Sequence, residues 1–361
     1  MSIRHVISVS GGKDSTATLL LALQRLPRDK IMAIFCDTGN EIPVTYDYLD
    51  DLENHLGIKI HRLKADFSAE IAAKRRFIAR DKRTRREYRT APVFDAQGLP
   101  VPKRDKFGNI LYRTVRRGGT EIREQIQKTR KVGGGRRVRW SNKAKRRALA
   151  ALNPTGNPFL DLCLWKGRFP SRKAQFCTEE LKRNIAVAFQ LDLIDQGFSV
   201  VSWQGIRRDE SVNRRHAKKI ERIGPKLWVF RPLVDWTAQQ TVDFVRDQDC
   251  PLNPLYSQGQ SRVGCVCINS NKDGLAQIAY RQPEEIERLA QWEMLVGQAS
   301  KRGFSTFMCD ADDRKDPRAI FADLNIRARV EWATGDNGTI SLFGDIVMDA
   351  PVCASAYGLC E

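Results

Sequence analysis

Residues 6–23, VISVSGGKDSTATLLLAL, constrain this chain more than any other stretch. An apolar run ends at Gly11 and Gly12, passes through Lys13, Asp14 and Ser15, and gives way to leucines at helical spacing. A strand that turns on glycines straight into a helix aims backbone N–H groups and the positive end of the helix dipole at one point. That geometry suits a phosphate group, and it calls for a sheet with a helix packed on it. The hexapeptide SGGKDS lacks the four residues between glycines of the common phosphate-loop pattern. Its parts still have roles. Gly11 and Gly12 permit close backbone approach. Ser10 and Ser15 offer hydroxyls. Lys13 brings a mobile positive charge. Asp14 orients the loop or helps to hold Mg²⁺.

The rest of the chain supplies the sheet. Residues 5–10, 30–39 and 59–66 read as buried strands, and 15–26 and 45–57 as helices, the second closed by Gly57. Strand and helix alternating at this pace predict an α/β fold with a doubly wound parallel sheet. The rhythm resumes with a helix over 178–197, a strand over 198–207, and a strand, turn and helix in LWVFRPLVDWTAQQTVDFVRD. Beyond residue 249 the chain is Cys-bearing and loopy, with one clear helix at 282–300. No internal repeat stands out. The expected organisation is a nucleotide-binding domain of residues 1–73 and 148–248, an insertion at 74–147 and a Cys-bearing region at 249–361. No apolar run reaches the roughly 18 residues that span a bilayer. The N-terminus reads as a strand and not a leader peptide, so a cytoplasmic protein without a membrane partner is expected.

Charge marks the insertion. The chain carries a net +18. Residues 74–147 hold 26 Lys or Arg against 6 Asp or Glu, so this segment carries the whole excess. A near-neutral body with one basic insert implies a polyanionic partner. Tyr88, Phe107, Tyr112 and Trp140 are interleaved with the cations, which favours nucleic acid over a merely solvated face. The densest cluster is Arg136, Arg137, Arg139, Trp140, Lys143, Lys145, Arg146 and Arg147, in a stretch that reads as mobile. Hairpin turns are expected at DAQG and KFGN.

Several segments share a further pattern. SGGKDS after an N-terminal strand resembles the pyrophosphatase loop of the ATP pyrophosphatase superfamily, which cleaves ATP between its α and β phosphates. AIFCDTGNEIPVTYDYLDDL, WQGIRRDESVNRR, FRPLVDWTAQQTVDFV and NPLYSQGQSRVGCVC resemble, in order, segments of the phosphoadenylylsulfate (PAPS) reductase-like family within it. The resemblance implies an adenine nucleotide alpha hydrolase-like fold. It implies that Ser10, Gly11, Gly12, Lys13, Asp14 and Ser15 hold phosphates and that Asp37, Thr38 and Gly39 line the nucleotide pocket. It assigns Gly205, Arg207, Glu210 and Arg214 to a GxRxxES…R loop in which Arg207 neutralises phosphate charge. Lys13, Asp14 and Arg207 are the expected catalytic residues.

Two departures shift the expectation. Reductases of this family usually lack the loop lysine, whereas Lys13 favours ATP. They also carry an ECGxH tail, for which this chain has CASAYGLCE. Iron–sulfur members hold a cluster with a Cys before a Lys and a later GCxxC pair. Here Cys177 precedes Lys182, and Cys265 and Cys267 are spaced Cys-x-Cys, one residue short. The resemblance therefore implies a 4Fe–4S cluster on Cys177, Cys265 and Cys267, completed by Cys353, Cys360 or Cys309, with zinc as runner-up. Cys36, Cys163 and Cys250 read as core residues.

The leading expectation is an enzyme of the DNA phosphorothioation type. It binds ATP and Mg²⁺, adenylylates DNA or tRNA, and passes on sulfur from a donor protein. A sulfonucleotide reductase or sulfate adenylyltransferase is the second reading. A nucleotide-dependent nucleic-acid-binding regulator without turnover is the third.

Overall fold

The computed structural model describes residues 2–84, 86–117, 120–260, 262–308 and 316–335. Cys309, Cys353 and Cys360 lie outside the described residues. The chain divides into two compact units, one of Met1–Arg76 with Arg146–Glu361 and one of Phe77–Lys145.

The larger unit begins β1 (Ile3–Ser8), α1 (Lys13–Arg25), β2 (Ile31–Asp37), α2 (Pro43–Leu56) and β3 (Ile60–Lys64). α3 (Ser68–Ala79) leads into the smaller unit. That unit holds β4 (Arg86–Pro92), β5 (Tyr112–Arg117), β6 (Thr120–Gln125) and β7 (Thr129–Arg137), and α4 (Asn142–Ala151) leads out of it. The larger unit continues with α5 (Pro158–Lys166), a π-helical turn (Thr178–Arg183), α6 (Asn184–Asp195) and β8 (Ser199–Trp203). Then follow β9 (Ile220–Gly224), β10 (Leu227–Phe230), α7 (Ala238–Asp247) and the one-turn α8 (Pro254–Ser257). Four helices end the described chain: α9 (Lys272–Arg281), α10 (Pro283–Ala299), α11 (Pro317–Leu324) and α12 (Ile326–Thr334).

The strands of the larger unit form one sheet in the order β3-β2-β1-β8-β10-β9. All neighbours are parallel except the edge pair β10–β9. The period-two alternation of β1 explains the layering. Ile7 joins the core under α1 and α2 with Leu19, Leu49 and Leu52, and its neighbour Val6 joins the core under α6 with Ala186 and Leu193. Both faces of the central strand are thus sealed, as a doubly wound sheet requires. The chain winds outward from β1 to β2 and β3 on one side and resumes at β8 on the other. The crevice between β1 and β8, beyond their carboxyl ends, is the topological switch point where such sheets take ligands.

In the smaller unit, β4 pairs β7 and β5 pairs β6, both antiparallel. The turn expected at DAQG forms at Asp95–Gly98, and the one expected at KFGN forms one residue earlier, at Asp105–Gly108. They are a structural repeat that the sequence reading did not see. Asp95 Oδ1 accepts the amides of Gln97 and Leu99, and Asp105 Oδ1 accepts those of Phe107 and Asn109. Gly98 and Gly108 take the left-handed φ that closes each turn. The stretch read as mobile is instead the end of β7 and the start of α4. Asp81 anchors it by accepting the Trp140 amide at 2.9 Å and pairing with Arg83. The region after residue 249 also holds more helix than its loop-like composition suggested.

No described helix is long and apolar enough to cross a membrane. The C-terminal helices hang on one buried acid. Glu293 on α10 is 1% exposed. Its carboxylate accepts the amides of Phe307 at 2.6 Å and of Ile326, the first residue of α12, at 3.0 Å. Burial pushes this carboxyl from 4.5 up to about 7. The folded chain therefore holds a proton that the unfolded chain releases, and stability from this group is full below pH 4.5 and falls as pH rises through 7. Urea melts are expected to lose on the order of 2 kcal/mol over that window from Glu293 alone. Glu293→Gln should flatten that loss, and an unchanged pH profile would sink the assignment.

Candidate functional site

The loop between β1 and α1 is held from three sides. Ser15 Oγ closes it internally, accepting the Ser10 amide at 3.0 Å and donating to the Gly12 carbonyl at 2.9 Å. Gly11 has φ +83°, and a Cβ there would come within 3.0 Å of the Thr45 methyl. Both the backbone shape and the space call for glycine. Asn253, which caps α8, donates from its amide to the Gly11 carbonyl at 3.2 Å. Tyr256 on α8 accepts the Lys13 backbone amide at 3.0 Å, and the Lys13 ammonium lies 5.4 Å from its ring centroid.

The third side comes from the exit of β8. Asp14 is buried, and its Oδ1 accepts from Arg207 Nε at 2.8 Å. Lys13 Nζ lies 3.8 Å from the other oxygen. Arg207 is 4% exposed and also pairs with Asp209 at 2.6 Å. A Cβ at Gly205 would come within 2.8 Å of the Asp14 carbonyl, so the β8 exit passes the loop at backbone contact. Glu210 pairs with Arg214 four residues on. Asp14 therefore faces cations, which suits orienting the loop. Lys13, Asp14, Gly205 and Arg207 meet at the N-terminus of α1, which gathers helix dipole, amides and two cations for an anion.

Past β2, Asp37 is buried and accepts from the Gly39 amide at 2.9 Å, the Tyr46 hydroxyl at 2.7 Å and Lys64 Nζ at 2.8 Å. Glu41 accepts the Thr38 amide and hydroxyl at 3.1 and 2.7 Å. The Tyr46 hydroxyl spans both carboxylates, and burial, then Glu41, pushes its phenol far above the ordinary range. Gly39, at φ +74°, abuts Asn157. Sequence reasoning named Asp37, Thr38 and Gly39 but missed Glu41, Tyr46, Asn253 and Tyr256. The only signal for the last two was their place in the quoted NPLY segment.

A cavity opens at the carboxyl ends of β1 and β2. Ser10, Thr38, Glu41, Lys182 and the cysteines Cys36, Cys177, Cys265 and Cys267 line it. The segment carrying Cys265 and Cys267 is stitched to the loop after β2. Ile42 donates to the Gly264 carbonyl at 2.8 Å, and Asn40 Nδ2 donates to the Val266 carbonyl at 2.9 Å. The Cys265 thiol is pushed well up by its hydrogen bond with Cys267 and by burial. Cys177 stands at the start of the π-helical turn, a distortion frequent at functional sites. Cys36, Cys163 and Cys250 are buried.

The structure thus brings the three sequence-named thiols to one cavity. Among the described residues, though, no group of three His, Cys, Asp or Glu converges to hold a metal ion. Of the ligands expected for an iron–sulfur or zinc site, Cys177, Cys265 and Cys267 line this cavity, and Cys309, Cys353 and Cys360 lie outside the described residues.

The residues named for nucleic acid separate. Arg139, Lys143 and Arg146 are exposed. Trp140 is 7% exposed, so its ring is a core group and the expectation of a stacking surface there is corrected. Lys145 donates to the carbonyls of Ala79 and Asp81, and Arg147 to that of Ser300. These two cations brace backbone ends. Arg136 and Arg137 lie on β7, cross-strand from Glu87 and Arg86.

A switch-point crevice, a glycine turn into a helix and converging cations define an α/β protein of the phosphate-loop class. The chain matches the phosphoadenosine phosphosulfate reductase domain over residues 4–99 and 112–271, and it belongs to that family. It is 37% identical to an uncharacterised 37.8 kDa protein of Escherichia phage 186, over 99% of this chain and 96% of that one. It is 42% identical to an uncharacterised protein of Methanocaldococcus jannaschii, over 82% of this chain but only 42% of that one. An adenosine 5'-phosphosulfate reductase of Staphylococcus epidermidis is 36% identical over 74 residues, 19% of this chain and 30% of the relative.

Arg207→Leu is expected to leave Asp14 without its guanidinium partner and to cost about 3 kcal/mol of stability, as breaking buried ion pairs does. Chemical denaturation checks this, and a loss below about 0.5 kcal/mol, the level of an exposed pair, would show that the pair does not organise the loop.

Proposed function

We propose that this chain adenylylates a nucleic acid with ATP at the SGGKDS loop, releases pyrophosphate and supports sulfur transfer to the activated position. Lys13 carries the reading. A cation at the N-terminus of α1, steered by Asp14 and Tyr256, suits a ligand with phosphates beyond the α position. The neighbouring cavity, lined by Ser10, Thr38 and Glu41, borders the loop at the carboxyl ends of β1 and β2, where a nucleoside joined to those phosphates would lie. The basic unit supplies the counter-charge for a polyanionic substrate.

In this reaction a substrate oxygen attacks the α-phosphorus, the bond to the bridging oxygen breaks, and pyrophosphate leaves. Hydrosulfide released by a donor protein then attacks the activated carbon or phosphorus, and AMP departs with the oxygen. The loop amides, Lys13 and Arg207 stabilise charge on the transferring phosphates. Mg²⁺ would arrive with those phosphates, as it commonly does. No step here runs through an iron–sulfur cluster. The reading places the chain closest in character to the DNA phosphorothioation sulfurtransferases, with tRNA as the other nucleic-acid substrate.

The second reading, sulfonucleotide reduction, draws support from the stretch shared with the Staphylococcus epidermidis protein. ATP–pyrophosphate exchange separates the two. Exchange stimulated by DNA or tRNA is expected, and Lys13→Ala should lower it at least about 100-fold, the scale of losing one charge-stabilising group. Exchange stimulated by sulfate instead would favour sulfate activation. No exchange, with tight binding of PAPS, would put reduction first.

A further inference from the structure

The smaller unit carries two ribbons that handle charge differently. On β5–β6 two of the four arginines are matched across the strands, Arg113 with Glu124 at 3.2 Å and Arg116 with Glu121 at 2.9 Å. β4 and β7 together hold six Lys or Arg and one carboxylate, Glu87. Their register sets Arg86 opposite Arg137 and Glu87 opposite Arg136. This ribbon carries a charge excess that a polyanion would neutralise.

The same ribbon presents an aromatic face. Tyr88 sits at the register shift between Glu87 and Arg89. Its ring lies over Gly135, where a Cβ would come within 2.7 Å of it. Gly135 of β7 thus makes room for the ring. Lys131 Nζ lies 4.8 Å from the ring centroid, and the residue is 37% exposed. Tyr112 on β5 repeats the arrangement, with the Arg123 guanidinium 4.9 Å from its ring. Phe94 and Phe107 stand exposed at the two Asp–Gly turns, Phe107 at 78%. Exposed rings beside cations are the pairing that takes a base on the ring and its phosphate on the cation. A base pair inside a duplex hides its faces in the stack, whereas an unpaired base offers a face to an aromatic ring.

We propose that the Phe77–Lys145 unit grips single-stranded nucleic acid, with Tyr88 and Tyr112 stacking on unpaired bases and the β4–β7 cations meeting the phosphates between them. The proposal rests on the nucleic-acid reading above and narrows its substrate to an unpaired strand.

Fluorescence anisotropy with the full chain tests it, using a labelled 20-nucleotide strand and the same strand annealed to its complement, each across a salt series. The single strand should bind at least about tenfold tighter than the duplex at equal salt, the scale of one lost base stack. Tyr88→Ala should weaken single-strand binding about tenfold and leave the salt slope unchanged, since stacking releases no counterions. Tyr88→Phe keeps the ring and should bind as the wild type does. Lys131→Ala should reduce the slope by about 0.7, one phosphate contact on a single strand. Thermal melts show which variants remain folded, and the strand-against-duplex comparison on the wild type needs no variant. Equal or tighter duplex binding, unaffected by Tyr88→Ala, would overturn the proposal and leave the nucleic-acid reading standing, with the ribbon then a groove reader. No binding to either form would overturn both.

Discussion

The buried pair of Asp14 and Arg207 is the contact on which the site depends. Asp14 belongs to the first turn of α1, and Arg207 lies four residues beyond β8. Those elements flank the switch point, so one ion pair spans the crevice between the two halves of the sheet. Each charge would be expensive to bury alone, and their mutual attraction makes burial of both tolerable. Gly205 brings the backbones close enough for the pair to form. The same pairing keeps Arg207 pointed at the loop, where an incoming phosphate meets it already oriented.

Around this pair, the sheet and the C-terminal segments act on the loop from opposite sides. Sealing of Val6 and Ile7 on opposite faces fixes the height at which β1 ends. Asn253 and Tyr256 reach the loop from α8, more than two hundred residues away in sequence. Asp37, Glu41 and Tyr46 form a hydrogen-bonded knot after β2, and Asn40 and Ile42 beside it take hold of the cysteine segment. Phosphate loop and thiols thus border one cavity because two strand ends and two distant segments are tied together there.

Much of this was legible in the sequence. The apolar runs and their spacing disclosed β1, α1, β2, α2 and β3, because burial on both faces leaves an almost unbroken hydrophobic signature. SGGKDS disclosed the loop, since its chemistry is local. The contribution of Tyr256 was hidden, because a lone tyrosine carries no mark of what its hydroxyl will meet. Trp140 was misjudged because aromatic residues among arginines look alike whether they stack outward or pack inward, and only the burial of its ring in the fold tells them apart. The GGGRR stretch read as mobile because glycine runs usually are. Here Tyr88 covers Gly135, and pairing with β4 supplies the order that composition alone did not suggest. The twin Asp–Gly turns escaped notice because their likeness lies in backbone hydrogen bonds and only two shared residue types.

The Tyr256 hydroxyl occupies the Lys13 amide, which is one of the donors a phosphate would take. A ligand that claims this amide must push the tyrosine aside, and α8 sits on the same stretch of chain that runs on to Cys265 and Cys267. Filling the loop at that amide would therefore give up the Tyr256 contact, while the Asn253 bond to the Gly11 carbonyl still ties the same segment to the loop.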